Sequence, residues 1–293
     1  MCGIVGAIAK RPISAILVEG LKRLEYRGYD SAGVAILGAT DTLQTARAEG
    51  KVQQLCDALQ QHPIEGHLGI AHTRWATHGE PCERNAHPHC SNENVAIVHN
   101  GIIDNHQALK QQLQQHGYRF DSDTDSEIIA HLLHHLLQQT NDALTAITQL
   151  CTQLHGAYAL GIILKQQPDT LYAVRCGSPL VLGLGIEENF IASDALALLP
   201  VTQRHVCLEE GDIACLTTDN IRIIDNTGKP ALRTPIESDE EGSLTTKEHY
   251  RHFMQKEIYQ QPNAIKETLS GHMSAERVFD TAFGQPAATI LQQ

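Results

Sequence analysis

The first residues of the chain place a thiol one residue from the amino terminus. The sequence starts with Met1-Cys2-Gly3-Ile4-Val5-Gly6, so the thiol leads directly into an apolar stretch. The small side chain at position 2 permits removal of the initiator methionine, after which one residue carries both a nucleophilic sulfur and a free α-amine. An α-amine titrates at about 7.7 to 8.0 and a thiol at about 8.5, so moving the proton from sulfur to nitrogen costs only about 1 kcal/mol. The thiol could therefore attack a substrate without a histidine base, although a small buried residue heading a strand fits the same position.

Two side chains of opposite charge offer a way to hold an α-amino acid. A planar guanidinium such as that of Arg74 binds a carboxylate through two parallel hydrogen bonds, and a carboxylate such as that of Asp125 accepts from an ammonium group. Together they would fix both charged ends of an amino acid. Two ordinary surface charges are the alternative that the sequence leaves open.

The pair Asn100-Gly101 follows an apolar run and has two interpretations. As a bare dipeptide it is typical of a tight hairpin turn. Its functional interpretation is an oxyanion hole, in which the Asn100 side-chain amide and the Gly101 backbone N–H donate to a developing negative oxygen. Helical spacing resumes a few residues later, which weakens the hairpin interpretation without eliminating it.

Three stretches contain residue types that can bind metal ions. Cys82, His87, His89 and Cys90 lie close together in a loop, but their spacing matches no common zinc pattern. A helix that carries three histidines lacks the glutamate of a His-Glu-x-x-His site. The acidic run at 121–125 begins like a calcium loop but lacks its glycine and its terminal glutamate. The sequence therefore predicts no metal ion, and nothing in it indicates another cofactor.

The spacing of apolar residues predicts the elements that must position these groups. Helices are expected at 13–24, 52–59, 105–115, 125–138 and 142–154. Strands are expected at 4–9, 34–37, 43–48, 68–72, 95–98, 156–164, 170–175, 179–184, 189–192, 205–208, 212–217 and 221–225. The stretch at 25–33 reads as a polar turn, and a long loop precedes residue 95. Many short strands with turn residues between them indicate a mixed α+β domain rich in antiparallel strands.

Composition limits the class of partner. The formal charge of -12, from 34 acidic and 22 basic residues, argues against a nucleic-acid or anionic-membrane surface and favours a small molecule. No apolar run approaches the roughly 18 residues of a membrane span, and the run after Cys2 ends in Lys10-Arg11, the reverse of a signal peptide. The eight cysteines contain no Cys-x-x-Cys pair. We therefore expect a cytoplasmic protein with reduced thiols.

Five motifs resemble, in order and spacing, the class II glutamine amidotransferases. They are Cys2-Gly3-Ile4-Val5-Gly6, Glu25-Tyr26-Arg27-Gly28-Tyr29-Asp30-Ser31-Ala32-Gly33, His72-Thr73-Arg74-Trp75-Ala76-Thr77-His78-Gly79, His99-Asn100-Gly101-Ile102-Ile103 and Thr124-Asp125-Ser126-Glu127. Within that class, the chain is most similar to the glutaminase domain of the branch that uses fructose 6-phosphate as acceptor. The resemblance covers residues 2–235 and continues at 254–263. It implies the N-terminal-nucleophile hydrolase fold, a four-layer αββα sandwich with two stacked antiparallel sheets.

The resemblance also implies which residues carry out catalysis. Cys2 would be the nucleophile, and Asn100 and Gly101 would form the oxyanion hole. Gly101 would also contact the substrate. Arg27 would lie near the nucleophile.

Further residues would bind the glutamine. By the same resemblance, Arg74 would hold its α-carboxylate and Asp125 its α-amine. Thr77 and His78 would line the site, and Trp75 would help to close it and direct ammonia onward.

The resemblance divides the chain into a glutaminase domain at 2–235 and a segment at 236–293. That segment would be a linker followed by the beginning of a phosphosugar isomerase domain. We therefore expect hydrolysis of L-glutamine by this chain, with fructose 6-phosphate bound only through the missing domain and a homodimer only in the full-length enzyme.

Other functions stay open at this point. The nearest enzymatic alternative is phosphoribosyl-pyrophosphate amidotransferase, which shares the nucleophile. A glutamine-binding module without turnover and a metal protein rich in cysteine and histidine are alternatives from other classes.

Overall fold

Two stacked sheets with helices on both outer faces make up the larger part of the chain. The computed structural model describes residues 2–38, 42–75, 79–140, 142–237 and 250–269. The chain divides into two units, Met1–Asp239 and Glu240–Gln293. Among the described helices, none combines the length and the apolar character needed to cross a bilayer.

The first sheet has eight strands, all paired antiparallel. In spatial order they are β15 (Ile236–Glu237), β11 (Arg204–Cys207), β9 (Val181–Leu184), β10 (Glu188–Ala192), β1 (Gly3–Ala9), β4 (Leu68–Arg74), β2 (Ser31–Leu37) and β3 (Leu43–Glu49). The amino-terminal strand β1 therefore lies in the interior of the sheet, between β10 and β4. This position fixes the residues next to the amino terminus.

The second sheet has seven strands, which are also antiparallel. In spatial order they are β14 (Pro230–Ala231), β13 (Ile221–Ile224), β12 (Ile213–Leu216), β8 (Leu171–Cys176), β7 (Gly156–Leu164), β6 (Val95–Ile103) and β5 (His89–Ser91). The long pair β6 and β7 carries Asn100 and Gly101 in its ladder. These two residues are thereby held in extended pairing.

Three apolar clusters separate four layers. One cluster joins the first sheet to α1 (Ser14–Leu24) and α2 (Val52–Gln61). A second fills the space between the two sheets. The third joins the second sheet to three helices, which are α3 (His106–Gln115), α4 (Glu127–Gln139) and α5 (Ala143–Gln153). The described residues of the larger unit thus form an αββα sandwich.

Alternation along the strands decides which side chains enter the space between the sheets. In β1, Ile4 packs in the inter-sheet cluster, whereas Val5 packs on the helix side. In β6, Val98 packs in the inter-sheet cluster and Ile97 on the helix side. Because successive strand residues point to opposite faces, Asn100 has the same orientation as Val98 and points toward the first sheet.

The predicted elements agree with the structure within a few residues, apart from the two short unpredicted strands β14 and β15 and three differences nearer the site. Residues 31–33 belong to the buried strand β2 and not to a polar turn. Gly33 permits this, because a Cβ at that position would lie 2.2 Å from the His87 carbonyl oxygen. The predicted loop before residue 95 contains the short strand β5, and β6 runs on to Ile103 instead of ending at Val98.

The second unit is described only at 250–269. It contains α6 (Phe253–Leu269). Most of the segment predicted as a linker after residue 235, up to residue 249, lies outside the described residues.

Candidate active site

The thiol of Cys2 is fixed between two strand ends. Cys2 directly precedes β1 and Trp75 directly follows β4, and these two strands are antiparallel neighbours. The Trp75 N–H donates to Cys2 Sγ at 3.1 Å, and Sγ lies 3.4 Å from the Trp75 carbonyl oxygen, which can accept from the thiol. Burial raises the pKa of the Cys2 thiol, and the Trp75 N–H bond opposes this shift. A base must therefore take its proton before the sulfur can attack at neutral pH.

The Asn100 amide bridges the two sheets beside Cys2. Its Nδ2 donates to the Cys2 carbonyl oxygen at 3.1 Å, and its Oδ1 lies 2.9 Å from Nε2 of His72 in β4. An amide NH2 group has two hydrogens, and among the described residues only the Cys2 carbonyl accepts from this one. Asn100 can thus direct a second N–H at a substrate oxygen.

Gly101 lies in the β6 strand with φ at +141°. A Cβ at this position would stand 2.0 Å from the Ala157 carbonyl oxygen of the neighbouring strand. The glycine is therefore required for β6 to pair with β7 at this point. The hairpin interpretation of Asn100-Gly101 is wrong, because both residues continue the β6 ladder.

Arg74 and Asp125 line the same crevice as Cys2. This crevice of about 20 Å³ is lined by Cys2, Arg74, Trp75, His87, His99, Gly101, Thr124, Asp125 and Ser126. The Arg74 and Asp125 side chains are each only 3% exposed, so the alternative of ordinary surface charges is wrong. The fold brings a buried guanidinium and a buried carboxylate to one thiol.

Backbone groups hold both charged side chains in place. The guanidinium of Arg74 donates to the carbonyls of Gly79 at 3.1 Å and Glu80 at 3.2 Å. Asp125, just before α4, accepts the Ile103 N–H at 2.8 Å. A carboxylate has about four acceptor positions, so Asp125 keeps capacity for a ligand ammonium group.

Trp75 and Arg27 line a second, larger cavity that also borders Cys2. This cavity of about 390 Å³ is lined by Cys2, Arg27, Trp75, Asn100, Gly101, Ile102, Ser178, Pro179 and Ser193. Arg27 donates to Asp194 at 2.5 Å, and the Tyr26 hydroxyl donates to the same carboxylate oxygen at 2.9 Å. These bonds hold Arg27 in the wall of a cavity that Cys2 also lines.

Gly28 explains part of the motif around Arg27. Its φ is +90°, and a Cβ there would stand 1.9 Å from the Trp75 ring. The indole, which is 52% exposed, thus packs directly on the Gly28 backbone. The predicted substrate residues Thr77 and His78 lie outside the described residues.

Four histidines are buried together next to the crevice, a grouping that sequence reasoning did not predict, and we call His72, His87, His89 and His99 the histidine cluster. The rings of His72 and His87 stack at 4.1 Å, and those of His87 and His89 meet edge to face at 4.6 Å. Burial lowers the pKa of His72 and of His89 to about 3 and also lowers that of His87. His72, His87 and His89 are therefore neutral at physiological pH. Strand alternation could have indicated His72, which has the orientation of the core residue Ile70.

No metal centre is formed by the residues that the structure describes. In those ranges, no group of three or more His, Cys, Asp or Glu side chains is arranged to hold an ion. His87 and His89 of the tested loop are instead packed in the histidine cluster. Independence from cofactors stays a prediction.

Comparison with known proteins identifies the class. Residues 72–200 match the glutamine amidotransferase domain family. The fold is similar to the glutamine phosphoribosylpyrophosphate amidotransferase of B. subtilis, with a TM-score of 0.66 and 23% identity over 78% of this chain and 50% of that one. The chain carries a class II glutamine amidotransferase domain with the N-terminal-nucleophile hydrolase fold, and both predictions are confirmed.

More similar relatives point to one branch of this class. The chain is 53% identical over 292 residues to the glutamine--fructose-6-phosphate aminotransferase (isomerizing) of Idiomarina loihiensis, and 54% identical over 293 residues to that of Escherichia coli K12. Each match covers 100% of this chain and 48% of the relative, so the chain spans about half the length of these curated relatives. The comparisons do not favour the phosphoribosyl-pyrophosphate enzyme or a non-catalytic module.

Proposed function

We propose that this chain hydrolyses L-glutamine to glutamate and ammonia through a thioester on Cys2. The observation that carries the proposal is the convergence of Cys2, Arg74 and Asp125 on one crevice. An amino acid held there by both charged ends has its side chain directed toward the thiol. Glutamine is the substrate that fits, because its side chain ends in an amide that a thiolate can attack.

Substrate binding relies on the two buried charges. The Arg74 guanidinium takes the α-carboxylate, and Asp125 accepts from the α-ammonium group. Both protein groups are already desolvated and held by the backbone, so ordering these two side chains costs little, but the crevice of about 20 Å³ must widen for glutamine to enter. That Thr77 and His78 also bind glutamine rests on the sequence resemblance alone, and Gly101 contributes to the crevice wall.

The chemical step uses the amino terminus as base. After removal of Met1, the Cys2 α-amine takes the thiol proton, and the thiolate attacks the amide carbon. The second N–H of Asn100 and the Gly101 N–H stabilise the tetrahedral oxyanion. The protonated amine then gives its proton to the leaving nitrogen, ammonia departs, and a water that the amine deprotonates hydrolyses the thioester.

The released ammonia leaves on the Cys2 side that faces the larger cavity. Trp75 and Arg27 form part of that wall. In a full-length protein like the curated relatives, ammonia would aminate fructose 6-phosphate and give glucosamine 6-phosphate, with the acceptor bound in the isomerase region. We place this protein in the cytoplasm, as a homodimer in its full-length form and without nucleic-acid or membrane partners.

Replacement of the nucleophile tests this proposal. Glutamate formation is measured on purified wild-type chain, on Cys2→Ala and on Cys207→Ala, a matched control at an exposed cysteine away from the site. We expect Cys2→Ala to abolish turnover and still bind glutamine, and Cys207→Ala to match the wild type. Glutamate formation by Cys2→Ala at the wild-type rate would overturn the proposal.

A further inference from the structure

The Asn100 amide is held at both of its ends by groups of the first sheet. Nδ2 donates to the Cys2 carbonyl oxygen, and Oδ1 meets His72 Nε2 across the inter-sheet space at 2.9 Å. His72 is fully buried in β4, and its strand neighbours are Ile4 of β1 and Gly33 of β2. The ring therefore lies on a strand that is paired on both sides, within hydrogen-bond distance of the Asn100 amide.

We propose that His72 is a positioning residue for the oxyanion hole: its Nε2–H holds Asn100 Oδ1, so that the Asn100 NH2 group faces Cys2 and the substrate. This inference rests on the function proposed above. It assigns a role in catalysis to a residue that touches neither substrate nor thiol.

The donor pattern around the amide favours this orientation over the flipped one. In a flipped amide, Oδ1 would face the Cys2 carbonyl oxygen, and two acceptors would oppose each other. Nδ2 would then face His72 Nε2, which would have to accept, and the ring proton would move to Nδ1. That nitrogen makes no hydrogen bond of good geometry among the described residues, although the His99 backbone interacts with the ring, so a buried N–H donor there would be poorly paired.

The surroundings of the ring keep it in the required state. Burial lowers the pKa of His72 to about 3, and the nearby His99 and Arg74 oppose a positive charge on it. The His87 ring stacks on it at 4.1 Å with 27° between the planes. A neutral ring held by stacking carries one N–H, and the amide of Asn100 receives it.

A double-mutant cycle with Asn100 tests this role. His72→Phe keeps a stacking ring and removes the N–H. We expect it to lower kcat for glutamine hydrolysis about tenfold, less than the hundredfold or more for loss of an oxyanion donor, with KM changed by less than about twofold. Because His72 acts through Asn100, His72→Phe should have no further effect in an Asn100→Ala background. His72→Gln, which can donate from its amide, should recover part of the rate.

A buried histidine elsewhere provides the control. His134 in α4 is also buried and bonds to the Tyr118 hydroxyl at 2.7 Å. His134→Phe should leave kcat unchanged in both backgrounds. If His72→Phe does not fold, as judged by thermal unfolding, His72→Leu and His72→Gln take its place in the cycle.

A second measurement separates positioning from a merely structural role. Glutamate γ-semialdehyde forms a thiohemiacetal whose oxygen occupies the oxyanion hole, whereas glutamate does not. His72→Phe should weaken binding of the aldehyde about tenfold, in step with kcat, and leave glutamate affinity unchanged.

The outcomes distinguish the two proposals. If Asn100→Ala leaves kcat unchanged, the oxyanion role in the proposed function fails. If Asn100→Ala slows turnover but His72→Phe is without effect, or if its effect adds fully to that of Asn100→Ala, only the inference about His72 is overturned.

Discussion

The two spaces that meet at Cys2 differ in what they can hold. The crevice of about 20 Å³ contains two buried charged groups, Arg74 and Asp125. The cavity of about 390 Å³ has apolar wall residues such as Ile102 and Pro179 that the crevice lacks. We infer that the charged ends of glutamine belong in the first space and that neutral ammonia leaves into the second. In this account, Cys2 borders both the crevice that binds glutamine and the cavity into which ammonia leaves.

Retention of Met1 should have the largest effect on this arrangement. A lysine inserted between Met1 and Cys2 prevents removal of Met1, so that both residues stay attached to the Cys2 nitrogen. The Cys2 nitrogen then stays an amide without basicity, and extra residues cover the nucleophile. We expect complete loss of glutamate formation in a coupled assay. Turnover at the normal rate would disprove the free-amine mechanism.

Loss of the crevice carboxylate should weaken binding next most strongly. Asp125→Ala should raise the KM for glutamine roughly 30- to 1000-fold. This range corresponds to a loss of about 2 to 4 kcal/mol of binding free energy. Asp125→Asn separates the charge from the bond to the Ile103 N–H, because its amide oxygen can still accept that bond. It should therefore fold like the wild type and bind glutamine nearly as poorly as Asp125→Ala.

The matched control for this prediction lies two residues away. Asp123 is an exposed carboxylate that pairs with Arg84 at 2.6 Å. Asp123→Ala should leave KM within about twofold of the wild type, since exposed pairs contribute little. Equal KM values for the Asp125 and Asp123 variants would show that the crevice does not hold the amine.

The histidine cluster next to the crevice should make the domain sensitive to acid. The pKa values of His72 and His89 in the folded protein, about 3, lie below the unfolded value of about 6.5. Their stabilising contribution is complete above about pH 6.5 and falls as pH drops toward 3, because the unfolded chain binds protons that the folded chain excludes.

Each of these histidines should reduce the free energy of unfolding by about 1.4 kcal/mol per pH unit below 6. Urea unfolding of the wild type and of His72→Phe at pH 7.5, 6 and 5 measures this slope. The variant should lose about one third of the dependence if the pKa shifts of His72, His87 and His89 are alike. Identical slopes would show that His72 is not excluded from protonation in the folded state.

Changes on the cavity side should have the smallest effect on hydrolysis. Ile102→Ala changes only the wall of the larger cavity, so the rate of glutamate formation should stay within about threefold of the wild type. Because we propose that the acceptor binds in the half of the curated relatives that this chain does not span, fructose 6-phosphate should not stimulate hydrolysis appreciably. Strong stimulation, or amino-sugar formation by the purified chain, would show that the acceptor site is misplaced in this account.

Much of the fold could be predicted because the apolar spacing is local information. The strand at 156–164 and the helix α5 were placed within a residue or two, since their sequences repeat every second or every third to fourth position. The four-layer arrangement, in contrast, is predicted by the resemblance to a known family and not by the apolar spacing. Pairing between β1 and β4 joins residues that are sixty to seventy positions apart, such as Ile8 with Leu68 and Gly3 with Thr73, and no local pattern contains it.

The site shows where local rules fail. An Asn-Gly pair is a strong turn signal, yet nine residue pairs with β7 outweigh it and keep Asn100 in a strand. Asp125 was expected inside a helix, but α4 begins at Glu127, which leaves the Asp125 side chain in reach of the Ile103 N–H. The grouping of the histidine cluster could not be predicted, because His72 lies in the first sheet and His99 in the second, and they come together only when the two sheets stack.

The most direct test of the central claim is the mass of the amino-terminal peptide after reaction with an electrophilic glutamine analogue such as 6-diazo-5-oxonorleucine. It reports processing and reactivity of the same residue together. The account predicts a peptide that begins at Cys2 and carries one adduct on its sulfur, with labelling slowed by excess glutamine and absent in Cys2→Ala. An unmodified peptide in a fully inactivated protein, or an adduct on a peptide that still begins with Met1, would contradict it.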